Sequence, residues 1–343
     1  MSEPRKEVTI YDIAEKLNIS ATTVSRGLQD HPKINDKTKK KILAVAAEMG
    51  YRSNPFASSL RTKRGNIIGV IVPRLNSYFM SDVIAGIEKV INESNYNLFI
   101  SQSLESMKKE ISNARAMFNN RVDGLLVSLA YNTDNLDHFE PFITKNIPVI
   151  FFDRVQEHLQ FPNIFIDNYK AAYQLTSHLI EQSCKRILHI GGSQLRNVYI
   201  ERYNGYKRAL EDHNLPFDDE LLIISDLTTQ GGQDAGSTIL NMEIKPDAVF
   251  AANDISAVGC MQFLMDAGMR VPEDIAFAGF NNDPMSSVVR PQLTTIDYKG
   301  FEMGEVAAKL LLGHLTDNAD LKQTHSLILR SEMIVRDSSK RKG

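Results

Sequence analysis

The segment VTIYDIAEKLNISATTVSR, residues 8–26, decides how the N-terminal end of the chain folds. Its apolar residues follow the i, i+3, i+4, i+7 spacing of one helix face, at Ile10, Ile13, Ala14 and Leu17. Thr9 and Asp12 stand three residues apart, as in a capping box, and predict where this helix starts. Asn18 tolerates the left-handed backbone of a tight helix exit, and Ser20 is a good N-cap for a second helix. The segment therefore predicts a helix, a three-residue turn and a second helix.

A third helix completes a small unit within the first 50 residues. The second helix runs to about Leu28, and the third opens at Asn35 and reaches its C-cap position at Gly50. Its apolar positions are Ile42, Val45, Ala46 and Met49. A helix-turn-helix unit lays its second helix in the major groove of DNA, with the N-terminal residues at the base edges. The same helices also fit a small protein–protein module, an alternative that helical patterning alone leaves open.

The residues that open the second helix have side chains suited to base contacts. Ala21 and the methyl group of Thr22 can touch a thymine methyl, and Arg26 can reach a guanine or a phosphate. Residues 1–64 contain 13 Lys and Arg against 7 Asp and Glu, whereas the whole chain contains 39 against 42. A basic head on an acidic body indicates a polyanion-binding module, although a merely solvated basic face has the same composition.

The composition places the chain among ordinary globular proteins. Of 343 residues, 43% are hydrophobic and 24% are charged, which is enough apolar material for two or three folded domains. Cys184 and Cys260 are too few for a disulfide framework or a four-thiolate zinc site, and we expect two buried free thiols. No apolar run approaches the ~20 residues of a membrane span, and the N-terminus lacks a secretory leader. We therefore expect a cytoplasmic protein with no membrane partner.

The sequence of residues 54–66 predicts a linker that can become helical. Asn54 is an N-cap type and Pro55 suits the first helical position, so about two helical turns could form before Gly65. So short a helix is marginal alone in water and would order only on a supporting surface. Leu60, an apolar side chain among Ser and Arg, fits a wedge inserted into a DNA minor groove. Alternatively, the segment is a plain linker whose Leu60 packs on the body.

The rest of the chain alternates short apolar runs with amphipathic stretches. The apolar runs are residues 67–72, 98–100, 124–127, 148–152, 164–166, 187–190, 248–251 and 275–280. Helical periodicity appears between most of them, for example in residues 83–91, 171–180 and 255–267. Such alternation predicts parallel sheets covered by helices on both faces. Nearly 270 residues of it are too many for one open sheet, so we expect two α/β lobes.

Ligands of such sheets bind outside the carboxyl ends of the strands, and the residues there are polar or aromatic. They are Asn76, Ser77, Tyr78, Phe79, Asp153, Arg154, Arg202, Asn253, Asp254, Asn281, Asn282 and Asp283. Aromatic faces beside carboxylate, amide and guanidinium groups suit a hydroxylated ring such as a sugar. Each residue taken singly is more often a helix cap or a turn, so the interpretation depends on their coincidence at strand ends.

Signals of catalysis are weak. The chain has no G-x-x-x-x-G-K-[ST], G-x-G-x-x-G, G-x-S-x-G or H-E-x-x-H motif. Residues 191–193, Gly-Gly-Ser, could cradle a phosphate, but a tight turn is the commoner role. The eight histidines show no paired metal-ligand spacing, and a catalytic carboxylate pair such as Asp153 and Asp283 would depend on the fold. We expect no enzyme activity, no cofactor and no metal.

The motifs together resemble one family. Residues 8–26, 42–51 and 54–61 closely resemble the head and hinge of LacI/GalR-family transcriptional regulators. Similar later blocks are residues 68–73, 152–154, 202–206, 252–254, 279–282, 293–296 and 334–339. The match runs in order over about residues 8–339, and its body blocks are less specific because periplasmic sugar-binding proteins share that fold.

The resemblance implies an all-α helix-turn-helix head joined by a hinge helix to a two-lobed, periplasmic-binding-protein-like α/β body. It implies a homodimer on a pseudo-palindromic double-stranded DNA operator and a small-molecule effector, expected to be a carbohydrate, between the lobes. The residues that it assigns to DNA are Thr9, Tyr11, Ser20, Ala21, Thr22, Thr23, Ser25, Arg26, Asn35, Ala57, Leu60 and Arg61. Those that it assigns to the effector are Tyr78, Phe79, Asp153, Arg202, Asn253, Asp254 and Asn281.

The resemblance also implies domain boundaries. We expect a head over residues 1–53, a hinge over 54–66, a body over 67–337 and a tail over 338–343. Crossovers between the lobes are expected near Asp167, Asp297 and Gln323. The first lobe would then hold residues 67–167 and 298–323, and the second 168–297 and 324–337.

Two departures from the family pattern limit what can be carried over. Sugar-responsive members often have Asp where this chain has Asn281, and Ala21 and Thr22 differ from the bulkier pairs of some members. The sequence thus predicts a ligand-controlled regulator, expected to be a repressor of carbohydrate genes, with an unidentified effector and operator. The alternatives are a sugar-binding protein and an α/β sugar enzyme with a regulatory head.

Overall fold

The computed structural model describes residues 8–51, 65–156, 161–317 and 326–341. These residues form two compact units, one ending at Gly65 and the other beginning at Asn66. The first unit is the head and the second is the body. The expected hinge residues Ala57, Leu60 and Arg61 lie outside the described residues.

The head contains the three expected helices, α1 (Ile10–Leu17), α2 (Ala21–Leu28) and α3 (Asp36–Glu48). The side chain of Asp12 accepts a hydrogen bond from the backbone N–H of Thr9 at 2.7 Å, and Asn18 has a left-handed φ of 54°. The hydroxyl of Ser20 accepts from the backbone of Thr23 at 3.1 Å, and Asn35 caps α3. The predicted N-caps and the left-handed exit at Asn18 are therefore confirmed, whereas the C-cap of α3 is Met49 and Gly50, with a φ of 67°, follows it. The three helices meet over the fully buried side chains of Ile13, Val24 and Ile42.

The described part of the body contains two parallel sheets. The first has the strand order β11-β5-β4-β3-β1-β2, and the second has the order β7-β6-β8-β9. Strands of the first sheet are β1 (Ile67–Val72), β2 (Asn97–Gln102), β3 (Gly124–Val127), β4 (Val149–Phe152), β5 (Asn163–Ile166) and β11 (Ser326–Leu329). Those of the second are β6 (Ile187–Gly191), β7 (Leu222–Ile224), β8 (Ala248–Ala251) and β9 (Ala276–Ala278). All eight predicted strands are confirmed, and the central ones are buried on both faces, as parallel strands require.

Helices pack on both sheets, and each sheet with its helices forms one lobe. In the first lobe they are α4 (Tyr78–Glu93), α5 (Met107–Asn119), α6 (Glu140–Thr144) and α12 (Gly300–Asp317). In the second lobe they are α7 (Asn168–Glu181), α8 (Asn197–Asp212), α9 (Thr229–Asn241), α10 (Asp254–Asp266) and α11 (Met285–Val288). A side chain at Gly86 or Gly304 would collide with a backbone carbonyl of the facing helix, so α4 and α12 pack closely.

The crossover region differs from the expectation. Strand β11 pairs in parallel with β5, from Ser326 opposite Asn163 to Leu329 opposite Ile166. The chain is therefore still in the first lobe at Leu329, six residues beyond Gln323, where the crossover was expected and which itself lies outside the described residues. It then forms β12 (Glu332–Ile334), which pairs antiparallel with β10 (Thr295–Asp297) between the lobes. Strand β11 was missed although Leu327, Ile328 and Leu329 are consecutive apolar residues, because so short a run does not by itself distinguish a strand from other structure. In the structure its residues alternate between exposed and half-buried, as on a sheet edge.

The C-terminal residues belong to the second lobe. Ser338 and Ser339 are fully buried, and the Ser338 carbonyl accepts a hydrogen bond from the backbone of Phe277 at 2.8 Å. The guanidinium of Arg341 donates to the carbonyl of Asp247 at 2.6 Å. The expectation of a separate tail from residue 338 is therefore wrong for residues 338–341. In a sequence, serines near a chain end suggest an exposed segment. Here Ser338 instead lies buried and hydrogen-bonds to strand β9.

Candidate functional site

A cavity of about 260 Å³ lies between the two lobes, at the carboxyl ends of strands from both sheets. Five of the seven residues expected to contact an effector line it, namely Phe79, Asp153, Arg202, Asn253 and Asn281. Parallel strands bring the residues that follow them to one edge, which is why residues distant in sequence meet here. The volume is slightly below the ~300–1,000 Å³ range of drug-sized pockets, so the cavity suits a small ligand.

Arg202 is a buried cation at the cavity wall. Helix α8 positions it, and only 3% of its surface is exposed. Its Nε donates to the Asn168 side chain at 2.9 Å, and its Nη1 donates to the Ala252 carbonyl at 2.6 Å. The guanidinium lies 3.7 Å from the ring centre of Phe280, a cation–π contact. Nη2 has no hydrogen-bond partner among the described residues, so it can donate to a ligand in the cavity.

Asp153 and two aromatic rings form the opposite part of the wall. The Tyr298 hydroxyl donates to Asp153 Oδ1 at 2.6 Å, and the Ser128 hydroxyl donates to Oδ2 at 3.4 Å. The rings of Tyr298 and Phe79 stack with centroids 4.4 Å apart. Burial raises the pKa of the Asp153 carboxyl, and the neighbouring Arg154 partly opposes that shift. Asp153 also has a left-handed φ of 58°, a conformation that its short polar side chain tolerates.

Arg154 joins the two lobes at the cavity. It donates to Glu105 Oε2 at 2.7 Å and to the Tyr199 hydroxyl at 3.0 Å, and it lies 4.7 Å from the ring centre of Tyr131. Arg154 follows β4 in the first lobe, whereas Tyr199 belongs to α8 in the second. Burial raises the pKa of the Tyr131 hydroxyl. The cluster therefore links the two lobes through polar contacts beside the cavity.

Sequence reasoning did not assign Glu105, Tyr131, Tyr199 or Tyr298 to the site. Tyr131 follows β3, so its position at a strand end was an available signal. Tyr199 and Tyr298 gave no such signal, because one lies on a helix and the other follows a three-residue strand.

The two asparagines of the cavity differ in what they can offer. Asn253 caps α10, accepting from the backbone of Ser256 at 2.9 Å, and its amide nitrogen donates to the Leu227 carbonyl at 2.8 Å. Its side-chain oxygen and one of its two amide N–H groups are therefore already in use. Asn281 has a φ of 112°, and its side-chain amide makes no hydrogen bond within the described residues. Asn281 is thus the better placed of the two for a ligand.

Two residues expected at the effector do not line the cavity. Tyr78, which is 52% exposed, lines a neighbouring groove together with Asn281. Asp254 is fully buried, and its carboxylate accepts hydrogen bonds from Thr295 Oγ1 at 2.6 Å and from the backbone of Asp283 at 2.7 Å. A position directly after a parallel strand places a residue at the carboxyl edge of the sheet. It does not determine the direction in which the side chain points.

The head presents most of the expected DNA-contacting residues on its surface. The exposed ones among them are Thr9, Tyr11, Ser20, Thr22, Arg26 and Asn35, and Ala21 and Thr23 are half-buried. Ser25 is only 5% exposed, because it faces inward on α2, so this structure does not support a direct DNA contact for it. Arg26 makes no ion pair among the described residues and is free to approach a base or a phosphate.

Two features are absent from the described ranges. In residues 8–51, 65–156, 161–317 and 326–341, no group of three or more His, Cys, Asp or Glu side chains is arranged to hold a metal ion. Of the helices in the same ranges, none is long and apolar enough to cross a bilayer.

Two family models match the sequence. Residues 9–54 match the model of bacterial regulatory proteins of the lacI family, and residues 176–339 match the model of a periplasmic-binding-protein-like domain. The first model covers α1 to α3, and the second covers most of the second lobe together with α12 and β11.

Curated relatives are similar over nearly the whole chain. Catabolite control protein A of Priestia megaterium is 32% identical over 309 residues, which are 90% of this chain and 92% of that protein. The transcriptional regulator RegA of Clostridium saccharobutylicum is 30% identical over 96% of this chain and 99% of its own. The ribose operon repressor of Bacillus subtilis is 28% identical over 89% and 91% of the two chains.

Solved structures show the same architecture. A lac repressor dimer bound to operator and the anti-inducer ONPF superposes with a TM-score of 0.85, at 24% identity over 97% of this chain and 99% of the other. A regulator from Enterococcus faecium with bound ribose gives a TM-score of 0.71, at 25% identity over 80% and 98%. The expected fold class, a helix-turn-helix head and a two-lobed periplasmic-binding-protein-like body, is confirmed.

Proposed function

The chain belongs to the LacI family of bacterial regulatory proteins, and we propose that it is a repressor whose operator affinity is set by a small molecule in the interlobe cavity. Its relatives are DNA-binding transcriptional regulators. The observation that carries the proposal is the cavity itself, which is built from both lobes and has the free Nη2 of Arg202 on its wall.

The effector in this proposal is a sugar or a sugar derivative. The free donor of Arg202 and the free amide of Asn281 can bind hydroxyl groups, and Asp153 can accept further hydrogen bonds. The stacked rings of Phe79 and Tyr298 provide an apolar wall for the carbon face of a ring. The ribose-bound relative and the relative named as the ribose operon repressor support this class of ligand.

The DNA side of the proposal rests on the head. The exposed N-terminal part of α2, with Ala21, Thr22 and Arg26, would read base edges in the major groove. Two heads of a homodimer would read the half-sites of a pseudo-palindromic operator, and the similar lac repressor, which binds its operator as a dimer, supports this arrangement. In this proposal Leu60 of each hinge enters the central minor groove, flanked by Ala57 and Arg61.

Coupling between the two sites runs through the angle between the lobes. Interlobe hydrogen bonds surround the cavity: Arg154 donates to Tyr199, and the Asn197 side chain donates to the Asp153 carbonyl at 3.2 Å. An effector that adds contacts to both lobes favours one angle. That angle sets the spacing of the paired hinge segments, and hinge helices that cannot pair lose the support that orders them on DNA.

A selection experiment tests the DNA-binding half of the proposal. Purified protein is mixed with sheared genomic DNA, and retained fragments are sequenced with and without a panel of sugars and sugar phosphates. We expect enrichment of one palindromic motif, and one sugar of the panel should change that enrichment. Retention of fragments without any common motif, in every condition, would contradict the proposal.

A further inference from the structure

An acidic groove of about 440 Å³ lies beside the cavity and also joins the two lobes. Its first-lobe wall is the start of α4, with Tyr78 and Asp82, and the start of α12, with Glu302. Its second-lobe wall is the loop that contains Asp283. The connecting segment contributes Asp297 and Lys299, so four carboxylates and one ammonium group line the groove.

Asp283 is the unusual member of this set. Only 4% of its surface is exposed, yet its carboxylate has no hydrogen bond and no ion pair within the described residues. Burial and the facing carboxylate of Asp82 raise the pKa of Asp283 to about 6. The Asp283 carboxylate therefore lines the groove as a mostly buried charge that no group among the described residues neutralises, and a cation in the groove would pair with it.

The cation does not come from the groove itself. Lys299 is engaged elsewhere, because its Nζ donates to Glu332 at 3.1 Å. The guanidinium of Arg336 binds Asn282, Ser286 and the Leu293 carbonyl, which holds the loop but does not pair with Asp283. The groove therefore keeps a net negative charge that faces both lobes.

We propose that this groove is a second ligand site, which takes a small organic cation with a primary ammonium group between Asp82 and Asp283. An ammonium group has three donors and can bind two carboxylates on opposite walls at once. The half-exposed ring of Tyr78, also in the wall, offers a face to the cation and its carbon chain.

A metal ion fits these residues less well than an amine. Ca²⁺ needs six to eight oxygen ligands and Mg²⁺ near-ideal octahedral geometry. No acidic cluster among the described residues has an arrangement that could hold a metal. The aromatic ring of Tyr78 in the wall favours an organic cation with a carbon chain instead.

The site would act on the effector cavity through a shared wall. Asn281 and Phe79 line both spaces, so a ligand that fixes α4 against the loop at residues 281–284 also fixes one side of the cavity. The two sites are nevertheless independent in chemistry, since one offers an arginine donor and the other offers carboxylate acceptors.

Calorimetric titration of the full chain with 1,4-diaminobutane tests the proposal at pH 7.5 and constant ionic strength. The diamine should bind, and 1,4-butanediol, which has the same carbon chain without charge, should not. Asp283→Asn and Asp82→Asn should each weaken diamine binding about tenfold or more, because each removes a charge-assisted hydrogen bond. Glu243→Gln removes a surface carboxylate outside the groove and should bind the diamine as the wild type does.

A second measurement separates a ligand site from a structural role. If Asp283 is an unpartnered charge, Asp283→Asn should raise the melting temperature at pH 7.5 in the absence of amine. Because the raised pKa favours the neutral carboxyl in the folded state, this difference should shrink as the pH falls from above 6 towards 4. The groups facing Asp283 that could alter this profile are Asp82, Asp254, Asp297, Glu302 and Lys299.

Three results would overturn the proposal. One is a wild-type protein that does not bind the diamine. Another is equal binding by Asp283→Asn and Asp82→Asn. The third is a lower melting temperature for Asp283→Asn at pH 7.5, which would mean that the carboxylate already has a partner. Since Asp82 is exposed, its variant folds and keeps the test valid even if Asp283→Asn does not.

Discussion

The guanidinium of Arg202 is buried among neutral acceptors, an amide and a carbonyl, and no carboxylate pairs with it in the described part of the chain. A buried charge without an ion pair costs free energy, which the stacked ring of Phe280 offsets in part. A ligand acceptor at Nη2 would offset more of that cost. Arg202 is therefore the residue whose removal should most affect the effector.

Arg202→Ala should weaken effector binding by about 10- to 100-fold, the loss expected for a hydrogen bond from a charged group. Operator binding should stay intact, because the head has its own core. Calorimetry with the effector and anisotropy with labelled operator measure the two properties separately. Arg208→Ala is the matched control, since Arg208 lies on the same helix but is half exposed and pairs with Asp212. Equal loss in both variants would remove Arg202 from the site.

The sequence predicted those residues of the cavity that directly follow a strand, because the end of a strand determines where the next residues lie. Asp153, Asn253 and Asn281 line the cavity because each follows a buried parallel strand. Asp254 follows a strand equally closely, but its carboxylate turns inward to hold the backbone of Asp283. Which neighbour a side chain finds depends on packing between distant segments, and a single sequence does not contain that information.

At the scale of elements, the segment after β12 is the least expected part of the fold. The hydroxyl of Ser338 accepts from the backbone N–H of Thr294 at 2.9 Å and donates to the Phe277 carbonyl at 2.7 Å. These bonds attach the end of the chain to the edge of the second sheet. The strands that sequence patterning missed, β7, β10, β11 and β12, are short and exposed or half-buried in part, although β7 and β11 do contain short apolar runs. Their pairing is decided by tertiary contacts.

Ser338→Ala should destabilise the body by about 2–3 kcal/mol, because it leaves a buried donor and a buried acceptor without partners. Thermal and denaturant unfolding measure the change in the free energy of unfolding. Ser287→Ala is the matched control, since the Ser287 hydroxyl is exposed and bonds only to the Pro284 carbonyl. We expect a change within about ±0.5 kcal/mol for the control. A Ser338→Ala protein as stable as the control would show that these hydrogen bonds contribute little.

At the scale of the whole molecule, the head and the body differ in charge and in the kind of surface that they offer to a ligand. The head holds a basic, exposed reading helix, and the acidic body holds a cavity between two lobes. This division was predictable, because helix-turn-helix spacing and strand–helix alternation are long, regular patterns. The identity of the effector was not predictable from the sequence. It depends on which hydrogen-bond donors and acceptors in the cavity remain free after the protein's own groups have bonded to one another.

Control of operator affinity by the cavity ligand is the central claim, and the most direct test is an anisotropy titration of labelled operator at rising effector concentration. The operator is the motif enriched in the genomic selection, and the effector is the sugar that changes that enrichment. Saturating effector should change the operator Kd about 5- to 150-fold, the range of a coupling of about 1–3 kcal/mol. The same concentration should leave the operator Kd of Arg202→Ala unchanged. An operator Kd that stays constant while calorimetry shows the effector bound would contradict the account.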